Sequence, residues 1–253
     1  MIMSKNLFVL ILEDLRAARN RDPAARNLLE IFFTYSGFHA TLIHRICHLL
    51  WKLRLKFLAK FISNLSRILT SIEIHPAAEI DSGFFIDHGA GLVIGETTKI
   101  GKNVTIYQQA TLGGLSPSLN SHSQRNVKRH PTIHDNVIVG SGAQILGPVV
   151  IGKNSRIGAN AVVLKNIPEN ITYVGIPARK IESKNLSESF NAYGISEGKI
   201  DDPNKKSIHA LFKEIHSLNQ KIEDLKKQQN NGFRVSSKEI KLKDNKTKQG
   251  RQK

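Results

Sequence analysis

Two short clusters in this 253-residue chain carry side chains able to move a proton or hold a charge. One is Asp87-His88-Gly89-Ala90-Gly91 and the other is Lys128-Arg129-His130-Pro131. A histidine, with an ordinary pKa near 6.5, gives and takes protons at neutral pH, a role typically contributing about 10²–10⁴ in rate. Arginine's planar fork can hold a carboxylate bidentately. General-base chemistry on a small charged substrate is therefore available. Plainer readings stand beside it: His88 as a turn histidine bonded to backbone, Arg129 as a loop charge.

What must position these residues is a repeat. From Ile74 an aliphatic residue recurs every six positions: Ile74, Ile80, Ile86; then Ile94, Ile100, Ile106, Leu112; then Ile133, Val139, Ile145, Ile151, Ile157, Val163. A period of six fits neither a helix nor a flat strand. It predicts a triangular β-solenoid, with one side per hexapeptide and three sides per coil. Gly95, Gly101, Gly113, Gly140, Gly152 and Gly158 follow the aliphatic positions, and are expected at corners where φ is positive. Both clusters sit where the rhythm breaks. Asp87-His88 lies in a two-residue phase slip, and Arg129-His130 closes an excursion from Gly113 to Pro131. Solenoids carry function on such departures.

Residues 6–72 show apolar spacings of three and four and read as helices. Asp22-Pro23 suggests an N-cap followed by proline in the first turn, and Gly37 a break between two helices. Lys52, Arg54, Lys56, Lys60 and Arg67 interleave with apolar residues there; a helix packing one face on a partner is favoured over a membrane-surface helix. At the other end, Ile208, Leu211, Ile215, Leu218, Ile222 and Leu225 form a short heptad seam. The predicted organisation is α+β: a helical domain at 1–72, the solenoid at 73–181, and an extension at 182–253. The extension holds a helix at about 205–228 and a basic tail expected to be disordered.

The formal charge is +16. It divides as +7 over 1–72, +3 over 73–181 and +6 over 182–253, counted from the sequence. The excess lies on the flanks, where solvated surface and attraction of a phosphorylated ligand account for it better than nucleic-acid binding. Cys47 is the one cysteine, which excludes an internal disulfide and fits a reducing compartment. No apolar run approaches the roughly 20 residues needed to span a bilayer, and the N-terminus lacks a signal-peptide pattern. A cytoplasmic protein is expected, with neither membrane nor nucleic acid as partner. The histidines are scattered, so no metal is expected.

Glu73-Ile-His-Pro-Ala-Ala, Ile86-Asp-His-Gly through Ile94-Gly-Glu-Thr97, Thr111-Leu-Gly-Gly114 and Arg129-His-Pro-Thr-Ile133 closely resemble serine O-acetyltransferases. Arg21-Asp-Pro-Ala24 and Ser36-Gly-Phe-His-Ala40 in the helical segment extend the likeness to roughly residues 13–181. The resemblance implies a left-handed parallel β-helix and a homotrimer, with the hexamer left open. It implies acetyl transfer from acetyl-CoA to the L-serine hydroxyl, in a ternary complex and without an acyl-enzyme. His88 would be the base and Glu73, nearly one coil earlier, the carboxylate behind it. Asp22 and Asp87 would meet the serine ammonium, Arg129 and His130 its carboxylate. Gly114, Ser141 and Ala159 would border the acetyl-CoA groove, with Lys165 or Arg179 at its phosphates. Inhibition by cysteine, nearly isosteric with serine, would follow.

Departures from the pattern matter too. Glu73 stands where many relatives have aspartate, and 14 residues separate Gly114 from Arg129, a longer loop than is common. The chain ends Gly250-Arg-Gln-Lys253, so the docking of a terminal isoleucine into cysteine synthase is not expected. Two rivals remain: a hexapeptide acetyltransferase for another hydroxyl such as a sugar's, and a non-catalytic scaffold using the basic flanks.

Overall fold

A computed structural model describes residues 6–115, 124–181 and 210–223, together with Lys226. The chain divides into two compact units, 1–199 and 200–253. In the first, four helices precede a three-sided prism of short strands: α1 (Leu7–Arg21), α2 (Leu28–Thr34), α3 (Ser36–Lys52) and α4 (Lys56–Thr70).

The first side of the prism is β1 (Glu73–Ile74), β4 (Val93–Ile94), β7 (Thr111–Gly113), β10 (Gln144–Leu146) and β13 (Val162–Val163). The second is β2 (Glu79–Ile80), β5 (Lys99–Ile100), β8 (Thr132–Ile133) and β11 (Val150–Ile151). The third is β3 (Phe85–Asp87), β6 (Thr105–Tyr107), β9 (Ile138–Val139), β12 (Arg156–Ile157), β14 (Thr172–Val174) and β15 (Arg179–Ile181). All pairings are parallel except the closing β14–β15. The register stacks the predicted aliphatic column, for example Ile74 on Ile94 on Leu112, and every position of the sixfold rhythm lies in one buried core. A second interior column runs two residues earlier; it is large where the first coil meets the helices (Ile72, Phe84, Leu92) and mostly small beyond, at Ala110, Val137, Ala143, Ser155 and Ala161. The smaller residues fill the narrow corners left by the large side chains.

The corners correct one expectation. Left-handed backbone falls mainly on asparagines, Asn103, Asn136, Asn154, Asn160 and Asn170, and on other glycines. Asparagine tolerates that conformation and its amide bonds locally; Asn136 donates to Asn154 and Asn154 to Asn170, at 3.0 and 2.9 Å. The glycines that follow the aliphatic column serve close approach instead. A Cβ on Gly140 would overlap the backbone of Gly158 and Ala159, and one on Gly152 that of Pro168 and Glu169.

The helical segment brings two more corrections. Asp22 does not start a helix; it is the C-cap of α1, and Asn27 caps α2 by accepting from the Glu30 amide. Gly37 lies in the first turn of α3, after a break at Tyr35, and is small because Ile86 of the prism presses against it. One buried ion pair ties helices to prism. Arg45 on α3 donates to both oxygens of Asp14 on α1 and to the carbonyls of Ile80 and Asp81. Asp14 also accepts from the Phe84 amide at 2.9 Å.

In the second unit, residues 210–223 are helical within the span predicted at 205–228. Ile208, Leu225 and the basic tail lie outside the described residues. Among the described residues no helix is long and apolar enough to cross a membrane.

Candidate active site

Asp87 ends β3, and the next residues make the phase slip. His88, Gly89 and Gly91 all take positive φ, so the chain bulges outward and then returns to the first side. The bulge puts the imidazole in solvent: the His88 side chain is 76% exposed. The ring is therefore not packed away inside the corner. The Ser36 hydroxyl donates to the His88 carbonyl at 3.1 Å, pinning the bulge to the start of α3.

Asp22 and Asp87 converge beside it. Burial raises the Asp87 pKa, the positive side of His88 opposes this, and the like charge of Asp22 adds to the rise. Asp22 accepts from the Ala24 amide at 2.7 Å and from the Tyr35 hydroxyl at 2.6 Å. Asp22, Tyr35, Ser36, Asp87 and His88 thus form one acidic cluster where the helices meet the prism. Tyr35 and Ser36 were missed in the sequence reading; a hydroxyl pair at a helix break was the only signal.

Arg129 and His130 lie elsewhere. Arg129 pairs with Glu96 and donates to the Gln124 carbonyl at 3.1 Å. Thr97 organises the turn: its hydroxyl oxygen accepts from the amides of Arg129 and His130, both at 3.0 Å. Its own amide donates to His130 Nδ1 at 3.1 Å, which leaves the neutral ring with its proton on Nε2. Burial, with Arg129 adding to it, pushes the His130 pKa down to about 4. Gly95 makes room, since a Cβ there would overlap the His130 ring. Glu96 and Thr97 belonged to the quoted motif but had been given no role.

The register fixes how the two clusters relate. Ile86, Ile106, Val139 and Ile157 are stacked, so His88, Gln108, Ser141 and Ala159, two residues on, share one long edge of the first side. Ile94, Leu112, Ile145 and Val163 are stacked likewise, so Glu96, Gly114, Gly147 and Lys165 share the opposite edge, with Arg129 and His130. At about 3.3 Å per residue, the flat side between these edges spans on the order of 15 Å. One chain holds the base and the guanidinium apart. Glu73 projects from β1 between them, and its carboxylate meets Arg67 of α4 at 3.4 Å. Among the described residues no hydrogen bond joins it to His88. A cleft of about 340 Å³ lined by Lys60, Arg67, Glu73 and His75 opens at that end. Arg179, on β15, is exposed at the far end of the third side. No group of three His, Cys, Asp or Glu side chains among the described residues is placed to hold a metal.

Residues 2–42 match the family described as serine acetyltransferase, N-terminal, and residues 130–165 the bacterial transferase hexapeptide repeat. A serine acetyltransferase of Bacillus pumilus is 42% identical over 224 residues, 88% of this chain and 98% of that protein. The chain belongs to the serine acetyltransferase family. Two solved members of the family show what such folds receive. The Neisseria gonorrhoeae enzyme in complex with serine superposes with a TM-score of 0.64 at 38% identity, covering 69% of each chain. A serine acetyltransferase in complex with CoA gives 0.62, also at 38% identity, over 69% of each chain. The prism is thus the left-handed β-helix of the family.

Proposed function

We propose that the chain transfers the acetyl group of acetyl-CoA to the hydroxyl of L-serine, giving O-acetylserine and CoA. The observation that carries this is 42% identity across 98% of a serine acetyltransferase. The separated pair of charge clusters supports it, because both ends of an amino acid need a partner.

In this reading the site forms between two chains of a homotrimer. The His88 edge of one protomer faces the Arg129 edge of its neighbour, which closes the gap that one chain leaves open. The serine ammonium sits between Asp22 and Asp87 and relieves the repulsion between the two carboxylates. Arg129 and the Nε2–H of His130 hold the serine carboxylate, each charge-assisted hydrogen bond contributing about 1.5–3 kcal/mol. Both charged ends are then fixed, and the hydroxyl is aimed at His88.

His88 takes the hydroxyl proton as the oxygen attacks the thioester carbonyl. The tetrahedral intermediate collapses, the C–S bond breaks, and the thiolate recovers the proton from the imidazolium. Glu73 is assigned the carboxylate that steadies this imidazolium. It lies on β1, in the coil before the bulge and beside the strand β4 that follows it, and reaching the ring requires release from Arg67. The acetyl-CoA groove runs between the facing edges, past Ser141 and Ala159 on one and Gly114 and Lys165 on the other. Small residues there let the pantetheine lie flat, and Lys165 and Arg179 supply charge for its phosphates.

Release of free thiol from acetyl-CoA with and without L-serine tests the proposal. Serine-dependent release is expected. Release that follows a sugar or another alcohol, and ignores L-serine, would assign the fold to a different acceptor.

A further inference from the structure

No residue of the C-terminal unit has been given a part in the proposed reaction. Its helix at 210–223 carries one apolar stripe, Leu211, Ile215, Leu218 and Ile222, whose members are 58%, 53%, 50% and 49% exposed. Most helical stability in proteins comes from packing an amphipathic face rather than from propensity, so an exposed stripe calls for a partner. Spacing and charge together say which.

In heptad terms Ile215 and Ile222 occupy a, while Leu211 and Leu218 occupy d. Among parallel bundles, isoleucine at a with leucine at d disfavours three strands. Glu214 and Lys221 occupy the flanking g positions, and Phe212, Asn219 and Lys226 the e positions. Flanking charges set the orientation of such pairs. In a parallel pair g faces e, so Glu214 would meet the partner's Asn219 and Lys221 would meet the partner's Lys226. That is a like-charge contact made twice. In an antiparallel pair g faces g, so Glu214 meets the partner's Lys221 and the exchange is reciprocal. The same register packs Ile215 on the partner's Leu218 and Leu211 on the partner's Ile222, leaving no stripe residue unmatched. Ile208 and Leu225 continue the spacing in the sequence, outside the described residues.

We propose that the helix at 210–223 pairs antiparallel with the same helix of a second copy of this chain, through the Leu211/Ile215/Leu218/Ile222 stripe and reciprocal Glu214–Lys221 contacts. A threefold assembly carries an odd number of these helices, so pairing all of them takes chains from two assemblies. The device therefore tethers one catalytic body to another, and several weak pairs acting together bind far more tightly than one.

Full-length chains carrying Glu214→Cys and Lys221→Cys, one substitution on each, are co-expressed and treated with a short bis-maleimide. Cys47 is fully buried and stays out of reach. A covalent species containing one chain of each kind is expected, and adding Leu218→Asp to both should abolish it. Ile222→Cys alone should give no linked species, because that position meets itself only in a parallel bundle. The proposal is overturned by an absent mixed species, by one that survives Leu218→Asp, or by self-linking of Ile222→Cys, which would mean a parallel bundle.

Discussion

His88 and His130 are both turn histidines, and their surroundings give them opposite duties. His88 stands out in solvent on a bulge and is available for proton transfer; His130 is packed under Gly95 with its Nδ1 already accepting a hydrogen bond. Replacing His88 with alanine should therefore lower kcat by about 10²–10⁴ and leave the thermal midpoint where it was, since the side chain packs on little. A loss of less than tenfold would remove the base assignment. His130 should show itself in stability. Its folded pKa is about 4 against an ordinary 6.5, so between those values the unfolded chain binds more protons than the folded one. The stabilising effect of keeping the ring neutral is intact above pH 6.5 and is lost as pH falls toward 4. His44, His48 and His75 are depressed too, chiefly by burial, and act in the same direction. Melting curves from pH 7 to 4.5 should fall more steeply for the parent than for His130→Gln; parallel curves would mean that the ring is not held neutral.

At the level of elements, the aliphatic rhythm made the prism readable from sequence because a period of six repeats a single local event, a short side and a corner. The two breaks in that rhythm were readable for the same reason, and both hold residues to which the proposed function gives a role. What the period could not show was which residue bears positive φ at a corner, because glycine serves close packing as well as turning. Asn136, Asn154 and Asn170 turn the chain, while Gly140 and Gly152 admit the next coil. Nor could local pattern place Asp22, whose cap role reversed once Asn27 took the start of α2. The Arg45–Asp14 pair was invisible for a different reason: its partners come from α1, α3 and the first coil, and only tertiary structure unites them. Burial pushes the Asp14 pKa up to about 6 against the pull of Arg45, so the pair is a costly one to break. Arg45→Met should strand a buried carboxylate and the carbonyls of Ile80 and Asp81, destabilising the protein by about 3–5 kcal/mol. The urea midpoint checks this, and Asp14→Asn/Arg45→Met together should recover part of the loss.

For the whole molecule, the decisive feature is that one flat side separates the proton acceptor from the carboxylate-binding arginine. No rotamer of either side chain crosses on the order of 15 Å, so in the proposed reading each chain offers two half-sites that a neighbour completes. A ring of three chains closes that arrangement because a heterologous interface repeated by rotation uses every edge once. The consequence is complementation. Chains with His88→Ala and chains with Arg129→Ala should each be nearly inactive alone. Refolded together as an equal mixture, they should regain about a quarter of the parent activity, since one interface in four pairs an intact His88 edge with an intact Arg129 edge in a randomly filled ring. Recovery must also depend on subunit exchange, so mixing the folded trimers briefly should restore much less. Two inactive populations that stay inactive after refolding would place both groups in a single chain's site and contradict the register of the prism.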